Sequence, residues 1–143
     1  MTVPEITVRN LQRTVPVKIG DVKRFAERAV RVCIKIHRKK RTDLIKLREI
    51  FIWLISDRRM TRLHQQFLGE IGPTDVLTFQ HGEIFISVQM AKRHARAFRN
   101  SLTRELQLYI VHGFLHLHGF DDRTAAAART MKRAQERVLR RSL

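Results

Sequence analysis

Residues 111–122, VHGFLHLHGFDD, place three histidines and two aspartates in an otherwise mostly apolar stretch. On a helix, side chains four positions apart lie about 40° apart around the axis and one turn along it, so His112 and His116 can turn both imidazoles toward one metal ion. His118 stands about 200° round from His116 and faces away. Gly119 supplies a left-handed helix stop, and the turn behind it can carry Asp122 back toward the same metal. Two imidazoles and one carboxylate leave a position open for water, a set that suits zinc and also iron. Such a metal would activate water and polarise the bond under attack. The plainer alternative is a helix that only packs, with two half-buried histidines. Asp121 reads as a turn residue or a support for a ligand, or else as the N-cap of the next helix.

The spacing H-x-x-x-H-x-x-G-x-x-[H/D] resembles the ligand pattern of the metzincin zinc proteases. Those enzymes carry a glutamate general base directly after the first histidine; this chain has Gly113 there, which argues against a protease. Glycine inside a helix costs about 1 kcal/mol relative to alanine, so Gly113 points to something packing or binding close to the backbone.

The elements that must position these residues follow from periodicity and turn chemistry. EITVR from Glu5 alternates as a short strand, and Asp21 could cap a helix whose apolar stripe includes Val22, Phe25, Ala29, Val30 and Cys33. The stretch 44–56 is rich in Ile, Phe and Trp; its later part reads as a buried strand, its earlier part as helix-compatible. Asp57 is placed to cap a helix running to Leu68, with Gly69 as its stop and IGPT as a loop. DVLTF and EIFIS, separated by QHG, read as a hairpin. Helices follow at about 88–98, 102–118 and 124–140, the middle one capped by Ser101 or Asn100. Leu102, Leu106, Tyr109, Ile110, Gly113 and Leu117 carry its helical spacing. Strands early and helices late give an α+β order.

The whole chain sets the partners. Its 143 residues are expected to fold as a single domain over 1–143, with 43% apolar residues for a core. Twenty-nine Lys and Arg against thirteen Asp and Glu give a formal charge of +16, a bias toward a polyanion such as nucleic acid. The basic residues concentrate in RVCIKIHRKKR, 31–41, and along RTMKRAQERVLRR, 129–141, each of which alone could be a solvated helix face. Neither run pairs its basic side with the broad aromatic and leucine-rich face of an interfacial helix, so nucleic acid is preferred to a membrane surface. The longest apolar run, IFIWLI, falls far short of the roughly 20 residues that span a bilayer. No signal-peptide pattern opens the chain, and Cys33, alone, excludes an internal disulfide. A cytoplasmic location is expected.

HGFLHLHGFDD resembles the H-G-x-L-H-L-x-G-Y-D-H signature of the YbeY family, bacterial endoribonucleases and ribosomal RNA maturation factors. The likeness extends to GPTDVLTF, similar to the family's P-T-D-V-L-S-F block, to GEIFIS, similar to its G-D-I-x-I-S strand, and more loosely to MKRAQERVL in the last helix. Together these span 63–139; before them only the element order matches. The resemblance implies a small mixed sheet of about four strands packed with about five helices, and one zinc ion at the mouth of a basic cleft. It also implies cleavage of single-stranded RNA in ribosomal RNA maturation and ribosome quality control, with the small ribosomal subunit as partner. His112, His116 and Asp122 then hold the zinc, with Gly119 and Asp121 shaping the turn.

Two departures bear on activity. The family's third ligand is histidine where this chain has Asp122, and its arginine linked to RNA handling is replaced by Leu68. A carboxylate ligand cancels one charge of the metal and depresses the pKa of bound water less. Arg59 or Arg62 could replace the missing arginine, with Arg62 the weak catalytic candidate, and Arg133 and Arg137 are RNA-binding candidates on the last helix. His64 stands where the family usually has Asn. His81 and His94 are expected at the surface, and Thr74 and Asp75 match family positions, with Asp75 fixing the loop. The same departures motivate an alternative: a non-catalytic ribosome- or RNA-associated factor that keeps the fold and charge.

Overall fold

In the computed structural model of the chain, residues 2–68 and 75–143 are described. The expected helix stop at Gly69, the loop at 71–74 and Thr74 lie outside them. Among the described residues four strands, β1 (Glu5–Asn10), β2 (Glu49–Ile55), β3 (Val76–Phe79) and β4 (Glu83–Ser87), form one mixed sheet in the order β1-β2-β4-β3. β1 and β2 pair parallel, as do β2 and β4, whereas β3 and β4 pair antiparallel. The antiparallel pair is the expected hairpin, closed by Gly82 at φ +105, where an added Cβ would stand 2.8 Å from the Glu49 carbonyl oxygen.

Among the described residues six helices complete the α+β architecture: α1 (Ile19–Ile34), α2 (Asp43–Lys46), α3 (Asp57–Leu68), α4 (Val88–Ala97), α5 (Leu102–Leu117) and α6 (Ala125–Ser142). About five were expected, and the additional one is the single turn α2, which opens one residue before the stretch 44–56 and covers its helix-compatible start. Ile6, Val8, Ile50, Ile52, Leu54, Ile84 and Ile86 turn one sheet face toward α1, α5 and α6, and this is the main core. On the other face Met60 of α3 packs with Ile55 and Leu77 in a smaller cluster. α5 is apolar nearly all round because it runs through the centre, touching α1, α4, α6, β3 and β4.

Two expected caps are replaced by neighbours. α1 starts before Asp21, after Lys18, and Asp21 lies in its first turn, paired with Arg24 at 2.5 Å. Ser56, not Asp57, receives the early N–H of α3, from Arg59 at 3.2 Å. Asp57 instead accepts from the Ser87 hydroxyl and pairs with Arg93 at 2.5 Å, tying α3 to α4. Ser101 caps α5 as expected, accepting from Arg104 N–H at 3.1 Å.

Candidate metal centre and basic cleft

α5 carries His112 and His116 one turn apart, and their Nε2 atoms stand 3.0 Å from each other. His112 Nδ1 donates to Gln135 Oε1 of α6 at 3.2 Å, and His116 Nδ1 donates to the Phe120 carbonyl at 3.1 Å. A carbonyl only accepts, so His116 keeps its proton on Nδ1 and turns its Nε2 toward Nε2 of His112. The two nitrogens face one another across a gap that a shared cation can occupy. Nitrogens about 2.0 Å from one tetrahedral zinc would stand about 3.3 Å apart, close to what is found. A carboxylate oxygen of Asp122 completes the cluster, with all three ligand atoms within 4.8 Å of one another. The donor set therefore fits a metal ion. Burial, and then the neighbouring His112, hold His116 below its ordinary value, against the opposing pull of Asp122 and Asp121. The neutral imidazole that a metal needs is the form the fold favours.

The turn that returns Asp122 is built from Gly119, at φ +87, and Phe120, whose N–H donates to the Leu115 carbonyl at 2.9 Å. Asp121 accepts from the Arg123 N–H at 3.1 Å, a turn role, whereas the α6 cap is Thr124, accepting from Ala127 N–H at 3.0 Å. Gly113 has the close neighbour its position implies: a Cβ there would meet Ile84 Cδ1 at 2.8 Å, so the glycine lets α5 sit down on β4.

His118 points away from the cluster, as the helical angle requires, and is fully buried at 0% exposure. Its Nε2 donates to the Ile36 carbonyl at 2.7 Å, leaving Nδ1 to accept from the Thr42 hydroxyl at 2.8 Å. Burial first, and Arg38 as well, hold it below its ordinary value, opposed by the Ile36 bond. Arg38 donates to the Gly119 carbonyl at 3.0 Å and lays its guanidinium 3.8 Å from the centre of the Phe120 ring.

Beside the cluster opens a cleft of about 570 Å³, with His112, His116 and Asp121 on one side, Val76 and Thr78 of β3 on another, and Lys40, Arg41 and Arg123 around it. Arg41 belongs to the basic run 31–41, whereas none of the four RNA-binding candidates, Arg59, Arg62, Arg133 and Arg137, is among these lining residues. Arg59 and Arg62 are exposed on α3, which packs across the opposite sheet face. Arg133 and Arg137 are exposed two positions either side of Gln135, roughly 200° round α6 from the side that meets His112. Leu68 ends α3, and its side chain lies outside the described residues. Asp75 accepts from its neighbour Val76 N–H at 2.8 Å, fixing the entry to β3. His64 is buried and His81 is exposed, paired with Glu83 at 2.6 Å. His94, expected at the surface, is half-buried because its Nδ1 meets the Tyr109 hydroxyl at 2.6 Å. Gln135 and Arg123 are not marked by the sequence, and Lys40 and Arg41 only as members of the basic run 31–41. Gln135 leaves a local signal as a polar residue four after buried Met131 on the packed face of α6.

The order of elements, the mixed sheet and a histidine pair returning to a carboxylate define a small α+β protein with a candidate metal centre. A family model described as Endoribonuclease YbeY matches residues 7–142, and the chain belongs to the YbeY family. The Endoribonuclease YbeY of Moorella thermoacetica is 37% identical over 110 residues, covering 64% of this chain and 70% of that protein. That of Aster yellows witches'-broom phytoplasma is 29% identical over 133 residues, covering 84% and 86%. The solution structure of TM1509 from Thermotoga maritima superposes with a TM-score of 0.66 at 26% identity, covering 96% of this chain and 88% of that one.

Proposed function

We propose that the chain is a metal-dependent endoribonuclease of single-stranded RNA, acting in ribosomal RNA maturation and quality control with the small ribosomal subunit as its partner. The observation that carries the reading is the cluster of His112, His116 and Asp122, both imidazoles fixed from behind, opening on a cleft with three cationic side chains. His112, His116 and Asp122 would hold zinc, which when bound supplies Lewis acidity, polarising a phosphate oxygen and easing proton loss from water. Gln135 and the Phe120 carbonyl hold the rings in the orientation that presents Nε2. Lys40, Arg41 and Arg123 attract the RNA backbone, a contact without sequence preference. Arg59, Arg62, Arg133 and Arg137, farther off, add to the long-range field of a molecule of charge +16.

A second reading rests on Asp122: a charged, exposed ligand makes the metal a weaker acid than three imidazoles would, so the protein binds metal and RNA without cutting. One experiment decides. Protein purified without added metal is assayed for bound metal and for cleavage of an unstructured RNA. Metal with cleavage supports the nuclease, metal without cleavage supports the binding factor, and absence of both overturns the reading. End-group analysis of the product separates the chemistries, since a cyclic 2′,3′-phosphate would reject direct attack by water.

A further inference from the structure

We infer that His118 is a positioning residue for RNA: it straps the basic segment 36–42 onto the metal-bearing turn, so that Lys40 and Arg41 become a wall of the cleft. The inference rests on the nuclease reading above for its substrate, and on separate geometry for its mechanism.

The segment between α1 and α2 runs from residue 35 to 42, KIHRKKRT, with cations at Lys35, Arg38, Lys39, Lys40 and Arg41. So many like charges in so few residues repel one another, and without anchors the segment would spread into solvent. Two anchors oppose this, and both lie on the turn that follows the ligand helix. His118 reaches both ends of the basic tract, donating to the Ile36 carbonyl at 2.7 Å and accepting from the Thr42 hydroxyl at 2.8 Å. Arg38, in its middle, bonds the Gly119 carbonyl at 3.0 Å and covers Phe120. The imidazole is buried, so its two bonds are shielded from water and hard to replace. Lys40 and Arg41, between the anchored points, then line the cleft beside His112 and His116. His116 and His118 thus divide the work of one short stretch: the first faces the metal, the second grips the element that would hold the phosphates.

The test compares wild type, His118→Leu, Lys40→Ala/Arg41→Ala and the triple variant for affinity to an unstructured RNA and for metal content, with KM and kcat where cleavage is seen. His118→Leu is expected to weaken RNA binding about tenfold, to raise KM with kcat within twofold, and to keep the wild-type metal content. In the Lys40→Ala/Arg41→Ala background the same change should cost less than twofold, because its effect passes through those two side chains. Amide hydrogen exchange should rise in 36–42 and stay unchanged in α5, with or without RNA. Should His118→Leu not fold, Thr42→Val removes one anchor while keeping the shape, and the same pattern is expected of it. Unaltered affinity, an equal loss in both backgrounds, loss of metal, or unchanged exchange in 36–42 would each overturn the inference. Failure of the wild-type protein itself to bind or cut RNA would instead overturn the nuclease reading, while the exchange measurement still decides whether the strap exists.

Discussion

At the scale of the residue, Asp122 is where this chain says something of its own. It is the exposed member of the cluster, set after a glycine turn rather than on a helix, and it brings a carboxylate to a pair of imidazoles. Asp122→Ala removes both a bond and that charge, so metal content measured on purified protein should fall clearly below that of wild type. Asp122→His keeps three ligands without the charge. It should retain metal and, if Lewis acidity limits the reaction, cut RNA faster at neutral pH; slower cutting with full metal would show that the carboxylate does something an imidazole cannot. Gln135 is the complementary case, since it touches no metal position and acts only on the orientation of His112. Gln135→Leu leaves His112 Nδ1 without its acceptor, and metal affinity should drop about 10-fold, as measured by competition with a chelator.

At the scale of the element, the cluster exists because α5 can lie close to the sheet. A Cβ at Gly113 would stand 2.8 Å from Ile84 Cδ1 and 3.1 Å from its Cγ2, and Ile84 is fully buried. Gly113→Ala gains about 1 kcal/mol of helix propensity and meets overpacking of about 1–3 kcal/mol, so thermal unfolding should move down by a few degrees. Adding Ile84→Val should return part of the loss; a rise in Tm for Gly113→Ala alone would show that the close approach is not what the glycine serves. This also marks how far the sequence was legible. The strands, the hairpin, the α5 boundaries and the pairing of His112, His116 and Asp122 follow from local periodicity, helical angle and turn chemistry, and all are in the structure. Asp21 and Asp57 depart from the expected caps because a carboxylate near a helix start can serve a capping bond or an ion pair, and here they pair with Arg24 and Arg93. Gln135 reaches His112, and Lys40 and Arg41 reach the cleft, across long sequence separations that no periodicity encodes.

At the scale of the molecule, burial and charge set how the protein answers to pH and salt. Burial lowers His116 and His118 below their ordinary value of 6.5, so the folded state prefers them neutral and the unfolded chain binds protons first. Stability from this source is present above 6.5 and is lost as pH falls below it. Burial raises Cys33 and Tyr109 above 9.0 and 10.0, so their contribution is present below those values and is lost as pH rises past them. Thermal unfolding of metal-free protein should therefore be most resistant between about pH 7 and 9, and a midpoint still climbing below pH 6 would contradict the burial of both histidines. Salt tests the other half. A net charge of +16 spread over the surface makes RNA association a release of counterions, and log affinity should fall linearly with log salt, each phosphate contact on a single strand adding about 0.7 to the slope. The cleft concentrates that effect, because Lys40 and Arg41 face the same opening as His112 and His116, whereas Arg133 and Arg137 sit on the far side of α6. Lys40→Ala/Arg41→Ala should thus flatten the slope by about 1.4, and Arg133→Ala/Arg137→Ala should flatten it by less although it removes the same charge. Equal flattening by the two pairs would mean that RNA responds to the total field alone, and that the cleft is not where its backbone lies.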